Sequence, residues 1–180
     1  MKHSLIRVFA ALTLVTVTGC TTFIDVIREN PGRGKYRGGK TIYVGWLDIP
    51  EGMWRTLGYS SQRRWKTEIR GNNSGIKQYL REQLPGRIIK GSASKPGKGD
   101  LYIKLQYRGF VRNYSQVTGG MDEMKIGVQI IDIRSGRTRY NALLRVKSGG
   151  TFPRNWKGST LDGRLDNIMY NLAGFIAQKV

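Results

Sequence analysis

Cysteine and histidine are almost missing from this sequence: Cys20 and His3 are the only residues of their kinds among 180. A lone thiol excludes an intrachain disulfide. A lone histidine excludes His/Cys zinc cages and the Ser-His and Cys-His forms of nucleophilic catalysis. Acids are scarce too, 12 Asp+Glu against 31 Lys+Arg, for a formal net charge of +19. No apolar run is long enough to cross a bilayer as a helix; the longest, Val8–Val17, is about half the length required. What is present suffices for a fold. With 39% hydrophobic and 10% aromatic residues, the chain has the material for one domain with a core, despite its charge.

The amino terminus has the layout of an export signal. Lys2, His3 and Arg7 precede the apolar run, and Thr18, Gly19 and Cys20 close it. Val17-Thr18-Gly19-Cys20 resembles the lipobox of bacterial lipoproteins, with Val in place of the usual leading Leu. The resemblance implies diacylglyceryl attachment to the Cys20 thiol, cleavage after residue 19 and a lipid-anchored mature protein. Each buried acyl methylene contributes ~0.8 kcal/mol, so several chains hold a protein firmly on a membrane. Thr21, rather than Asp, follows the cysteine, which implies the outer membrane, facing the periplasm. Removing residues 1–19 takes two cations (Lys2 and Arg7) and no acid from +19, so +17 stays with the mature chain.

Residues 20–40 are expected to be a tether after the lipidated cysteine. Asn30–Lys40 is rich in glycine and cations, which disfavours a packed element. Residues 41–180 read as one α/β domain. Ile42, Val44 and Trp46 alternate as a strand. Residues 53–71 form a basic, aromatic insert without a clean period. Asn72, Asn73 and Ser74 are capping types before a helix carrying Ile76, Tyr79, Leu80 and Leu84, stopped by Pro85-Gly86. Arg87–Lys90 can form a short strand. Three longer strands follow, with apolar faces Leu101/Ile103/Leu105, Met124/Ile126/Val128/Ile130 and Tyr140/Ala142/Leu144/Val146. A phase slip at Ile130-Ile131 predicts a β-bulge, and Arg134-Ser135-Gly136 a tight turn. Ser159 or Thr160 caps a closing amphipathic helix. The expected fold is a two-layer sandwich: a mixed, mostly antiparallel sheet of about five strands with two main helices, in the order β-α-β-β-β-β-α. A right-handed crossover pairs the first two strands in parallel, and the last three form a meander.

The anchor, the Ile130-Ile131-Asp132-Ile133-Arg134-Ser135-Gly136 hairpin and the closing helix together resemble lipoproteins related to the amino-terminal domain of TolB, of LpoB and CsgG type. The resemblance implies a non-enzymatic part that binds or positions envelope components. The insert 53–71 has no counterpart in that pattern.

Cations next to aromatic rings are the remaining signal. Lys104, Arg108, Lys125, Arg139, Arg145 and Lys147 are expected on the sheet face away from the helices. Arg55, Arg63, Arg64 and Lys66 accompany Trp54, Trp65 and Trp156 in loops. Such a surface suits phosphate or carboxylate groups joined to apolar or planar parts. The expected partners are therefore the membrane, through lipid on Cys20, and an envelope protein or an anionic envelope polymer. The first reading is a module that organises an envelope complex. The second is an electrostatic binder of phospholipid, lipopolysaccharide or peptidoglycan. The third is a glycan hydrolase using carboxylates, for which Asp122-Glu123 and Asp162/Asp166 are the candidates. Arg108-Gly109-Phe110-Val111 lacks the second half of an RNA-recognition strand, and nucleic acid is not an expected partner. No spacing implies a metal, cofactor or small-molecule substrate, and no catalytic residue is assigned.

Overall fold

The computed structural model describes residues 23–32, 41–92, 100–114, 120–149 and 160–180. Cys20, Trp156 and most of the expected tether lie outside them. The described residues form one mixed sheet packed against two helices. The strands are β1 (Ile24–Pro31), β2 (Thr41–Gly45), β3 (Ile88–Ser92), β4 (Leu101–Val111), β5 (Glu123–Asp132) and β6 (Thr138–Lys147). The helices are α1 (Gln62–Gln83) and α2 (Leu161–Ala177). The spatial order is β1-β6-β5-β4-β2-β3.

The meander β4–β5–β6 follows from alternation. Ile103 faces Ile130, Leu105 faces Val128, and Ile126 faces Leu144, so one side of three strands is continuously apolar and buried. Burying each of these side chains contributes about 1.5–3 kcal/mol. The register slips between Ile130 and Ile131, where the bulge was expected. The turn that follows needs its glycine: Gly136 has φ +66°, and Asp132 Oδ1 accepts the Ser135 N–H at 2.9 Å. The crossover from β2 through α1 pairs β2 and β3 in parallel, and β2 also runs parallel to β4.

Three expectations change. The sheet has six strands, because residues 24–31 of the expected tether form β1, an edge strand antiparallel to β6. Its Val26 and Ile27 are exposed, so no burial alternation marked it in the sequence. Second, residues 53–71 are not a separate insert. Glu51–Trp54 is one 3-10 turn, and α1 begins at Gln62, capped by Ser61, whose Oγ accepts the Arg64 N–H. Third, Asn72 and Asn73, expected as caps, are buried in mid-helix.

Asn73 holds the chain that leaves β2. Its Oδ1 accepts the Leu47 N–H at 2.7 Å, and its Nδ2 donates to the carbonyls of Leu47 and Ile69. The side-chain amide thus takes the part of a neighbouring strand, and Leu47 and Ile49 turn into the core beyond the last sheet hydrogen bond.

The helices lie side by side and run the same way. Arg64 meets Asp162 near their starts, and Tyr79 stacks edge-on against Tyr170 further along, at 5.3 Å. Their starts sit at the end of the sheet where β4 and β6 finish; β2 stops well short of it, its Gly45 one residue beyond the Val44–Ile103 pair. There the buried Asp122 carboxylate accepts the N–H groups of Asn113 and Tyr114 and pairs with Arg164 at 2.7 Å. Thr160 caps α2 as expected.

Asn73→Ala should lower the free energy of unfolding by about 2–3 kcal/mol, because it strands the buried polar backbone of Leu47. Asp122→Ala should lower it by about 3–5 kcal/mol, leaving Arg164 without its counter-charge. Equilibrium urea denaturation measures both.

Candidate functional site

The sheet face away from the helices has no covering layer among the described residues. Near its middle a groove of about 440 Å³ crosses four strands. β1 supplies Arg28 and Asn30, β4 Gln106 and Arg108, β5 Lys125, Gly127 and Gln129, and β6 Asn141, Ala142 and Leu143. Gly127 makes the hollow. A Cβ there would stand 3.5 Å from Gln106 and 3.7 Å from Arg108 Nε, an ordinary contact distance, so a side chain would fill the groove without strain. Gln106 Oε1 accepts from the Arg108 guanidinium at 2.5 Å. The lining holds three cations, four side-chain amides and no carboxylate.

That chemistry binds anions. A guanidinium presents a planar fork to carboxylate or phosphate, an ammonium adds a point charge, and amides both donate to and accept from hydroxyl and acetamido groups. The open face leaves these cations solvated, so added salt would screen any anion held there.

The expected anion-binding residues do not form one surface. Of those on the sheet, Arg108 and Lys125 line the groove. Lys104 is exposed nearby, without an ion-pair partner among the described residues. The other three are neutralised near the sheet's margin. Arg145 sits between Glu123 at 3.5 Å and Asp25 at 3.9 Å, Lys147 pairs with Asp25 at 3.0 Å, and Arg139 pairs with Asp132 at 2.8 Å. The loop set lies elsewhere. Arg64 pairs with Asp162 and Lys66 with Glu51, whose carboxyl Lys66 holds below its ordinary value. Trp65 is a core residue, 2% exposed and tilted against Tyr59. Trp54 is half-buried beneath the Arg55 guanidinium, 4.9 Å from its ring. Arg63 is exposed, with no ion pair among the described residues.

Sequence reasoning missed Arg28, Asn30, Gln106, Gln129 and Asn141 as site residues. Alternation places the β4–β6 members on this face, but the two from β1 had no signal.

A second hollow, of about 360 Å³, lies beside the start of α1. Exposed Trp46 and Asp48, Glu51, Lys66 and Arg70 line it over Trp65 and Ile69. It carries both signs of charge. The candidate acids are each engaged: Asp122 by Arg164, Glu123 by Arg145, Asp162 by Arg64, and Asp166 by the Tyr79 hydroxyl, which donates to it. Among the described residues no group of three His, Cys, Asp or Glu is placed to hold a metal ion.

No family model matches the chain, and no curated protein matches it. Among solved structures it is similar to the PelC dodecamer from Paraburkholderia phytofirmans, at 13% identity over 83% of this chain and 96% of that one, with a TM-score of 0.42. It is similar to a DUF330 protein from Xanthomonas campestris, at 9% identity over 83% and 90%, with a TM-score of 0.45. A minor lipoprotein from Acinetobacter baumannii gives 13% identity over 77% and 90%, with a TM-score of 0.32. At these scores none of them transfers a role to this chain.

Arg139 holds the Asp132 carboxyl down to about 2, from an ordinary 3.8, with help from the Ser135 N–H. Because the folded value is the lower one, the stability it contributes is complete above pH 3.8 and disappears as pH falls through about 2. A melting-temperature series across that range should show this acid limb in the native protein and lack it in Asp132→Asn.

Proposed function

We propose that the chain is a lipid-anchored, non-catalytic binding module of the bacterial envelope whose open sheet face holds a carboxylated or phosphorylated glycan. The groove carries the reading: Arg28, Arg108 and Lys125 converge around Gly127 among four amides, with no carboxylate in the lining. A glycan offers the matching set, anionic groups for the cations and hydroxyl or acetamido groups for the amides. The aromatic half of the expected basic, aromatic surface has no place in this groove, which lacks rings altogether. Holding a polymer at a fixed distance from a membrane is a way of organising an envelope assembly, and it needs no chemistry.

Val17-Thr18-Gly19-Cys20 supports the anchor. Among the described residues no helix is long and apolar enough to cross a membrane. Lipid on Cys20 is therefore the attachment in this reading, with the outer membrane, facing the periplasm, as its place. Kinship with TolB-type domains of the LpoB or CsgG kind belongs to the same proposal, supported by the hairpin at Asp132–Gly136 and the closing helix.

Titration with a uronic-acid oligosaccharide, against a neutral dextran, tests the groove. Binding should weaken with added salt and fall at least about tenfold in the Arg108→Glu/Lys125→Glu double variant. Gly127→Leu, which fills the hollow and leaves every charge in place, should weaken it comparably. Undiminished binding by Gly127→Leu would assign the affinity to diffuse charge and reject the groove. Labelled palmitate should enter the native chain and not Cys20→Ser; label in both, or in neither, rejects the anchor.

A further inference from the structure

One end of the domain is joined to the anchor by a span too short to permit much choice of orientation. The Phe23 carbonyl accepts the Lys147 N–H at 2.8 Å, so the chain is already fixed to the sheet at residue 23. From Cys20 to Phe23 an extended chain reaches only about 10–11 Å. The strands run much further: the eleven residues of β4 cover about 36 Å.

The tethered end can be traced from contact to contact. β1 starts beside the end of β6, where Ser148 N–H donates to the Asp122 carbonyl. The Asp122 side chain holds Arg164 in the first turn of α2, and Asp162 in that turn holds Arg64 in the first turn of α1. Gly58, in the segment leading to α1, lies against Arg112, just beyond β4.

Its exposed side chains suit a headgroup layer. Val111 is 42% exposed. Arg55, Arg63 and Arg112 are exposed cations without ion-pair partners among the described residues, whereas Arg64 and Lys66 are paired. Arginines beside an exposed apolar side chain are a favourable combination at an anionic membrane interface. Charge alone does not choose this end, because Arg134 and Arg137 are exposed at the opposite one. The span chooses it.

We propose that the end bearing Arg55, Arg63, Val111 and Arg112 rests on anionic phospholipid headgroups of the membrane that holds Cys20. The sheet then stands upright and the open-face groove is turned sideways to solvent. This rests on the lipid-anchor reading of Cys20 and is independent of what the groove binds.

The test uses the full lipidated chain in vesicles of phosphatidylglycerol and phosphatidylethanolamine, with spin labels at R63C or S135C and a relaxing metal chelated to the lipid headgroups. The label at 63 should relax several-fold faster than the label at 135 in the far hairpin. Equal rates, or a faster rate at 135, would mean a domain lying on its side or inverted, and would overturn the orientation while leaving the anchor standing. Failure of the chain to join vesicles at all would overturn both. In the unlipidated Cys20→Ser chain, partition onto phosphatidylglycerol vesicles should fall about fivefold for each of Arg55→Gln and Arg63→Gln. No change in either variant would remove these arginines from the contact.

Discussion

The pair formed by Asp122 and Arg164 is the constraint on which one whole end of the domain depends. Both side chains are out of water, and each would be costly to bury alone. Together they join parts of the chain that share no sheet ladder. Asp122 fixes the turn after β4 through two backbone N–H groups, and Arg164 brings in the first turn of α2 beneath the Tyr114 ring, 3.9 Å from it. In a chain with so many cations and so few acids, placing one carboxylate fully inside is a strong commitment. It sets the height of the first turn of α2 on the sheet.

The remaining acids sort the cations of the open face. Asp25, Glu123 and Asp132 stand towards the ends of their strands and neutralise Lys147, Arg145 and Arg139. Arg28, Arg108 and Lys125 in the middle are left without such partners among the described residues. The face therefore has a neutralised margin and a positive centre. A uniform distribution of the same residues would give a diffuse attraction; this one gives a place.

The central meander and closing helix were legible because burial there is one-sided and the sequence must alternate to satisfy it. The bulge at Ile130-Ile131 was legible as a break in that alternation. β1 was not, because an edge strand with both faces partly wet needs no apolar period. The start of α1 was hidden for a different reason. Trp65 and Ile69 are buried between charged neighbours, and Asn72 and Asn73 face inward where a capping preference read them outward. The groove was half legible: alternation brings Gln106, Lys125 and Gln129 to one face, but its fourth wall required knowing that residues 28 and 30 lie beside β6. The pairing of Arg139, Arg145 and Lys147 with acids was invisible, since each partner comes from another strand or from across a turn.

The position of β1 also orders events in time. Its ladder partner is β6, so Asp25 meets Lys147 across 122 residues of chain. Loops closed over such separations form late, and a strand waiting for one remains extended. Synthesised first, β1 finds nothing to pair with until β6 has followed it, so this edge of the sheet is the last to close.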